Sequence, residues 1–136
     1  MHIFEWKEEF ATGFEAFDAE LQAVMRLADD LESALQAGAA RPELLRKFDD
    51  TVTALQSGME RQELLLKQAS YPAYRFHKRE HDDLLQILME FRTKVVEGSA
   101  NFSISSLEFL GGWLVSHFRS EDRCAAQFLA QPLKVS

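Results

Sequence analysis

Cysteine, proline and glycine are scarce in this chain of 136 residues, which contains 1 Cys, 3 Pro and 6 Gly. The lone thiol of Cys124 cannot form an internal disulfide, and this argues against a secreted, disulfide-stabilised fold. No apolar run approaches the roughly 20 residues that a membrane span requires, and the acidic N-terminal segment has no signal-peptide core. We therefore expect a cytoplasmic protein with no membrane association.

Clusters of basic residues are also lacking. The 15 Lys and Arg residues are outnumbered by 22 Asp and Glu residues, and the formal net charge is -7. Binding to a phosphate backbone requires a basic surface, so we expect no nucleic-acid partner. The hydrophobic content of 46% is sufficient for a conventional core. These values predict one acidic domain over residues 1–136.

Turn-forming residues divide the chain into an arm and four long segments with helical spacing of apolar residues. Gly38 is a natural end for the first helix, and Pro42 suits the first turn of the second. Ser105 and Glu108 resemble a capping box at the start of the fourth. The predicted arm covers residues 1–16, and the predicted helices cover 17–37, 42–70, 73–97 and 105–129.

The chain shows no alternating pattern typical of β-strands. Four helices of similar length with short loops predict an all-α, up-down-up-down four-helix bundle. The aromatic residues Trp6, Phe10 and Phe14 of the arm are expected to cover one end of the bundle. Trp113 is predicted to lie in the core or at a helix interface, and Cys124 to be a small buried hydrophobe.

Three of the four histidines fall on the inward faces of the third and fourth helices, whereas His2 belongs to the N-terminus. His77 and His81 are four residues apart, about 40° around a helix, so both rings can bind one ion. Asp122 follows His117 by five residues, about 140° around the helix, and would reach a metal only obliquely.

Burying three neutral imidazoles together is costly, because each leaves a nitrogen lone pair that needs a donor. One divalent cation satisfies all three. The alternative is that each histidine is a core residue bonded to a carbonyl group, a water or a carboxylate. Glu20, Glu60 and Glu63 lie beside the inward positions and are predicted to be solvent-facing charges.

Several blocks of the sequence resemble the bacterial hemerythrins. These blocks are the arm FEWKEEFATGFEAFD, the turn SYP, the run HKREH that follows it, and WLVSHFRSED, and the resemblance extends to about Leu129. It implies a four-helix fold. In that family an oxo-bridged di-iron centre binds O2 reversibly and is held by five histidines and two carboxylates.

The resemblance preserves only part of this ligand set. His77, His81 and His117 match the three-histidine iron, and Asp122 matches the bridging aspartate. The remaining ligand positions are occupied by Leu21, Gly58 and Gln62.

Leu21 and Gly58 stand where the family has histidines, and Gln62 stands where it has a bridging glutamate. Leucine and glycine offer no donor, and a neutral amide cannot bridge two cations as an anion. We therefore expect one divalent ion per chain, iron or zinc, and no ordinary O2 carriage.

Two functions remain open. The first is a mononuclear metal-binding module with an oxygen-sensing, redox-sensing or regulatory role, read by a protein partner. The second is a metal-free descendant of the fold that serves as a structural or interaction domain. A di-iron O2-binding protein has less support. So has an enzyme, because the sequence places no general acid or base at the site. The sequence does not indicate the oligomeric state.

Overall fold

The fold consists of long α-helices that alternate in direction and are joined by short loops. The structure is a computed structural model that describes residues 3–131, so His2 and the C-terminal residues 132–136 lie outside the described part. The helical elements are a short 3-10 helix (Glu8–Phe10), α1 (Glu15–Gln36), α2 (Arg41–Gln68), α3 (Tyr74–Glu97), α4 (Ile104–His117), a π-helical turn (Phe118–Asp122) and α5 (Arg123–Ala130). The predicted all-α, up-down-up-down four-helix bundle is confirmed.

The core lies where the helical spacing predicts it. On α1 the buried stripe includes Phe17, Leu21, Val24, Ala28 and Leu31. On α3 the stripe of Leu84 and Leu88 continues through His77 and His81, which are buried as well. Polar rings therefore occupy positions that an apolar core would fill. Within residues 3–131, no helix has both the length and the apolar character needed to cross a bilayer.

Glycine and serine define the helix ends. Gly38, which follows α1, has a φ of 78°, a left-handed conformation that suits glycine and ends the helix as predicted. The capping box of α4 differs from the prediction. Ser103 accepts from the backbone N–H of Ser106, and the Ser106 side chain accepts from the N–H of Ser103, whereas Ser105 and Glu108 lie inside the helix.

The arm was predicted to cover one end of the bundle, but over residues 3–11 it runs along the bundle, and Phe14 packs at an end, against Phe17. Near its start, the N–H of Ile3 donates to Oε1 of Glu32 at 2.9 Å. Ile3 also lies over α4, where a Cβ placed on Gly111 would be 2.6 Å from its Cγ2. Further along, Arg123 Nη2 donates to the carbonyl oxygen of Ala11 at 3.3 Å. Gly111 and Arg123 are about 18 Å apart along the helical axis, so the arm spans much of the bundle.

The fourth helical segment is not one regular helix, contrary to prediction. The π-helical turn at Phe118–Asp122 contains one residue more than an α-helical turn would. Beyond it the buried positions shift, so that Ala125 and Ala126 face the core. Cys124 is consequently exposed, and the prediction of a buried thiol was wrong.

Candidate metal centre

Three imidazoles and one carboxylate meet in the bundle core. His77 and His81 come from α3, His117 ends α4, and Asp122 ends the π-helical turn. Their exposed fractions are only 1% to 4%. One ligand atom from each residue lies within 4.8 Å of those from the other three, a grouping that could hold a metal ion. The structure thus brings together all four residues that the sequence indicated as metal ligands.

The Nε2 atoms of the rings face one another. His81 Nε2 and His117 Nε2 are 3.1 Å apart. Asp122 Oδ1 lies 2.9 Å from His117 Nε2 and 3.2 Å from His77 Nε2. Two nitrogen lone pairs repel at such a distance unless a proton or a cation lies between them. The arrangement therefore needs either a proton or a cation between these nitrogens.

Two carboxylates hold rings of the cluster from outside. Nδ1 of His81 lies 2.7 Å from Glu63 Oε2, and Nδ1 of His117 lies 2.9 Å from Glu80 Oε1. A carboxylate accepts the Nδ1–H and leaves the Nε2 lone pair directed at the centre. Metal-bound histidines in proteins are oriented by this same carboxylate contact.

These outer carboxylates were misjudged or missed by the sequence interpretation. Glu63 is not a solvent-facing charge, since its side chain is only 13% exposed and its carboxylate contacts His81. Glu80 was not among the residues predicted to lie at the site. A general rule could have indicated both carboxylates: a histidine ligand needs a hydrogen-bond acceptor for its second nitrogen, so acidic residues that flank the inward stripe were candidates. Glu60 is exposed, as predicted.

His77 has a different environment from the other two rings. Its Nε2 contacts Oε1 of Gln62 on α2 with hydrogen-bond geometry, and Gln62 is buried, at 5% exposed. Its Nδ1 has no hydrogen-bond partner among residues 3–131. Within residues 3–131, the ring is therefore held on the side that faces the centre, by the amide of Gln62 and by the carboxylate of Asp122.

The π-helical turn explains why Asp122 reaches the centre directly and not obliquely. In a regular α-helix, a residue five positions after His117 points about 140° away from it. The extra residue in the turn absorbs about 100° of this rotation and leaves about 40°, the offset of an i,i+4 pair. Asp122 is accordingly 1% exposed and faces the imidazoles.

Asp122, His81 and His117 differ in how their surroundings shift their pKa values. Burial alone would raise the pKa of Asp122, but the adjacent imidazoles of His117 and His77 lower this pKa to about 2. Burial lowers the pKa of His81, with partial compensation from Glu63. Burial also acts to lower the pKa of His117, yet Asp122 and Glu80 outweigh it and raise the value. The surroundings therefore favour protonation of His117 over protonation of His81, and a cation would compete with a proton on His117.

Beside the cluster lies a small cavity of about 20 Å³. This volume accommodates about one water molecule. Leu21, Gly58, Met59 and Gln62 contribute to its wall. Leu21 is buried, at 7% exposed, and fills part of the space that a histidine at this position would use.

Glu20 occupies the space above Gly58. A Cβ placed on Gly58 would lie 3.1 Å from Oε2 of Glu20, and the other carboxylate oxygen of Glu20 pairs with Arg61. The Glu20 side chain is 23% exposed, so it is half-buried at the rim of the cavity and is not the fully solvated charge that the sequence predicted.

Trp113, predicted as a core or interface residue, is half-buried and stacks on His117, with ring centroids 4.6 Å apart and planes at 16°.

Comparison with known proteins places these features in a family context. The family model described as hemerythrin HHE cation binding domain matches residues 12–128. A bacteriohemerythrin from Ralstonia nicotianae is 24% identical over 139 residues, a match that covers 96% of this chain and 92% of the relative. The crystal structure of a hemerythrin L114Y mutant matches with a TM-score of 0.90 and 21% identity, over 96% of this chain and 100% of that chain. An L114A mutant matches with a TM-score of 0.88 and 22% identity over the same shares.

Proposed function

The chain belongs to the hemerythrin HHE cation-binding domain family, and from this premise we propose that it binds one metal ion through His77, His81, His117 and Asp122. The convergence of three Nε2 atoms and one carboxylate oxygen in a buried site is the observation that carries the proposal. The donor set fits, because imidazole and carboxylate are ligands that both iron and zinc accept. A bound ion of this kind supplies a Lewis-acidic centre with affinity for small anions.

A single ion is supported by the positions that surround the cluster. A second iron in the manner of the family would need donors at Leu21 and Gly58, where this chain has an alkyl group and no side chain. Gln62 replaces the carboxylate that would bridge two cations. Three neutral imidazoles and one carboxylate leave a net charge of about +1 with one divalent ion, and two ions would leave about +3. We therefore propose that the chain is not an O2 carrier of the di-iron type.

The proposed role is sensory or regulatory. His77 and His81 lie on α3, whereas His117 ends α4 and Asp122 ends the π-helical turn that follows, so an ion would cross-link two helical segments. Occupancy of the site then changes how firmly these segments are held together, and a protein partner could read that change. The cytoplasmic location inferred from the sequence stays a prediction.

A metal-free domain is the second candidate, and one observation favours it. The raised pKa of His117 means that this ring can hold a proton at the centre. With that proton, His117 can donate to His81 or Asp122 through Nε2 and to Glu80 through Nδ1. The cluster could therefore be stable without a metal.

Metal analysis of protein purified without an affinity tag separates these candidates. We expect about one iron or zinc per chain by elemental mass spectrometry. The His81→Ala variant should contain almost none, because it loses an imidazole at the centre, whereas His2→Ala should bind like the wild type. A chelator should remove about 2.7 kcal/mol of stability if the free ion had exceeded its Kd about 100-fold.

Two outcomes would contradict the proposal. Wild-type protein without stoichiometric metal, even after incubation with Fe(II) or Zn(II), would establish the metal-free domain. Two irons per chain with the absorption of an oxo-bridged pair would show that the second iron site is retained.

A further inference from the structure

We propose that Gln62 is a fifth ligand of the metal ion and binds it through the amide oxygen Oε1. The sequence pointed to Gln62 as a lost ligand, because an amide cannot replace a bridging carboxylate between two cations. With one ion, no bridge is needed, and a neutral oxygen donor is enough. This inference rests on the proposed function, since it requires an ion at the centre.

The contact between Gln62 and His77 carries the argument. Oε1 of Gln62 meets Nε2 of His77 with hydrogen-bond geometry, so it lies in the direction in which the Nε2 lone pair points. This Nε2 is also the ring atom that faces Asp122 Oδ1, at 3.2 Å. An ion bound by His77 would lie in this direction, and a small outward shift of the amide would make Oε1 a neighbouring ligand.

Displacement of the amide by the ion is the less favourable alternative. Gln62 is 5% exposed, and its Oε1 has no other hydrogen-bond partner among the described residues than His77. Moved away from the centre, this oxygen would be a buried acceptor without a donor, which is costly. As a ligand it stays satisfied when the His77 proton moves from Nε2 to Nδ1 and the Nε2 lone pair binds the ion.

The donor set that results favours iron(II) over zinc. Three imidazole nitrogens, one carboxylate oxygen and one amide oxygen make five donors. Structural zinc sites are almost always closed by four ligands in a tetrahedron, whereas non-haem iron(II) accepts additional oxygen donors and keeps open positions. The small cavity bounded by Gln62 and Leu21 adjoins the cluster and has room for about one water as a sixth ligand.

Titration of the apo protein with Co(II) tests this inference, since the intensity of visible Co(II) absorption distinguishes four-coordinate sites from five- or six-coordinate ones. The wild type should show the weak bands of the higher coordination numbers. Gln62→Leu should gain the intense bands of a four-coordinate site and bind Co(II) at least about tenfold more weakly, by chelator competition. Met59→Leu, a buried change one turn away that also borders the cavity, should match the wild type.

Gln62→Asn provides a second variant if the leucine disturbs folding. It keeps the amide but withdraws its oxygen by one methylene, and it should also yield intense bands and weaker binding. If folded Gln62→Leu or Gln62→Asn has the spectrum and affinity of Met59→Leu, Gln62 is not a ligand and the site has four. If the wild type binds no ion at all, the proposed function fails together with this inference.

Discussion

The rings of His81 and His117 are held on the side that faces away from the centre. Glu63 and Glu80 accept from their Nδ1 atoms at 2.7 Å and 2.9 Å. Trp113 stacks on the face of His117. These contacts place a hydrogen on Nδ1 of each ring, so that Nε2 is the atom that can bind an ion, and they restrict rotation of the rings. The geometry needed for an ion is therefore in place before the ion arrives.

Removal of either outer carboxylate should weaken metal binding. We expect Glu63→Ala and Glu80→Ala each to raise the Kd by about 10-fold to 100-fold, because the ring loses its orientation and part of its basicity. Chelator competition provides the measurement. Glu63→Gln should restore part of the affinity, since an amide oxygen can still accept the Nδ1–H. The exposed Glu60→Ala serves as the control, and equal Kd values for Glu60→Ala and Glu63→Ala would show that the contact has no such role.

The role of Glu63 was not predictable from angular position alone. The direction of its Cα–Cβ bond lies away from the inward stripe, which is why the sequence suggested a solvent-facing charge. Three further bonds in the side chain allow the carboxylate to return to His81. Helical periodicity determines where a side chain leaves the backbone, but for a long side chain the surrounding packing decides where it ends.

The π-helical turn is the element that completes the cluster. It brings Asp122 into line with His117, and it also directs Ala125 and Ala126 towards the core. A periodicity of 3.6 residues cannot reveal such a turn, because the extra residue appears only as a phase shift. The sequence therefore identified Asp122 correctly as a candidate but misplaced it around the helix.

Deletion of the exposed Ser120 tests this view of the turn. Without it, Asp122 would follow His117 by four positions in a regular α-helix, and the offset of about 40° would be preserved. We expect the variant to fold and to bind metal within about tenfold of the wild-type Kd. Deletion of the exposed Thr53 from the regular part of α2 should instead rotate half of that helix by about 100° and unfold the protein. Circular dichroism and metal titration compare the two, and equal damage from both deletions would refute the register argument.

The arm imposes a different constraint on α4. Neighbouring glycines of this helix differ in what surrounds them: Gly111 lies under Ile3, whereas a Cβ on Gly112 would have no neighbouring atom within 4 Å. Replacing an exposed mid-helix glycine with alanine contributes about 1 kcal/mol. We expect this gain in the free energy of unfolding for Gly112→Ala but not for Gly111→Ala, because the latter must push the arm away. Urea denaturation measures both, and equal stabilisation would mean that the arm does not pack there.

On the scale of the whole molecule, the bundle carries only part of the ligand set that a site for two ions would need. Donors from α3 and the end of α4 are present, whereas Leu21 on α1 and Gly58 on α2 supply none. The backbone remains similar throughout, since the match to a hemerythrin structure has a TM-score of 0.90 over 96% of this chain. We therefore expect the number of bound ions to depend on a few side chains and not on the fold.

Restoring the missing donors should therefore restore a second iron. In the triple variant Leu21→His, Gly58→His and Gln62→Glu, we expect two irons per chain and the near-ultraviolet absorption of an oxo-bridged pair. A side chain at position 58 would meet Oε2 of Glu20 at 3.1 Å from its Cβ, and this flexible carboxylate can move aside. Gln62→Glu alone should still bind one iron. If the folded triple variant also binds one, features other than these three residues limit the site.

The sequence by itself determined the bundle, the inward stripes as far as His117 and the identity of the residues in the histidine cluster, because helical periodicity is a local property that is encoded along the chain. Only the tertiary structure decided which carboxylates approach His81 and His117, how the π-helical turn aims Asp122, and where the arm lies. These features depend on contacts between segments distant in sequence, and a one-dimensional pattern does not contain them. For the same reason Gln62, which the sequence marked as a loss, has in the structure an oxygen directed at the centre.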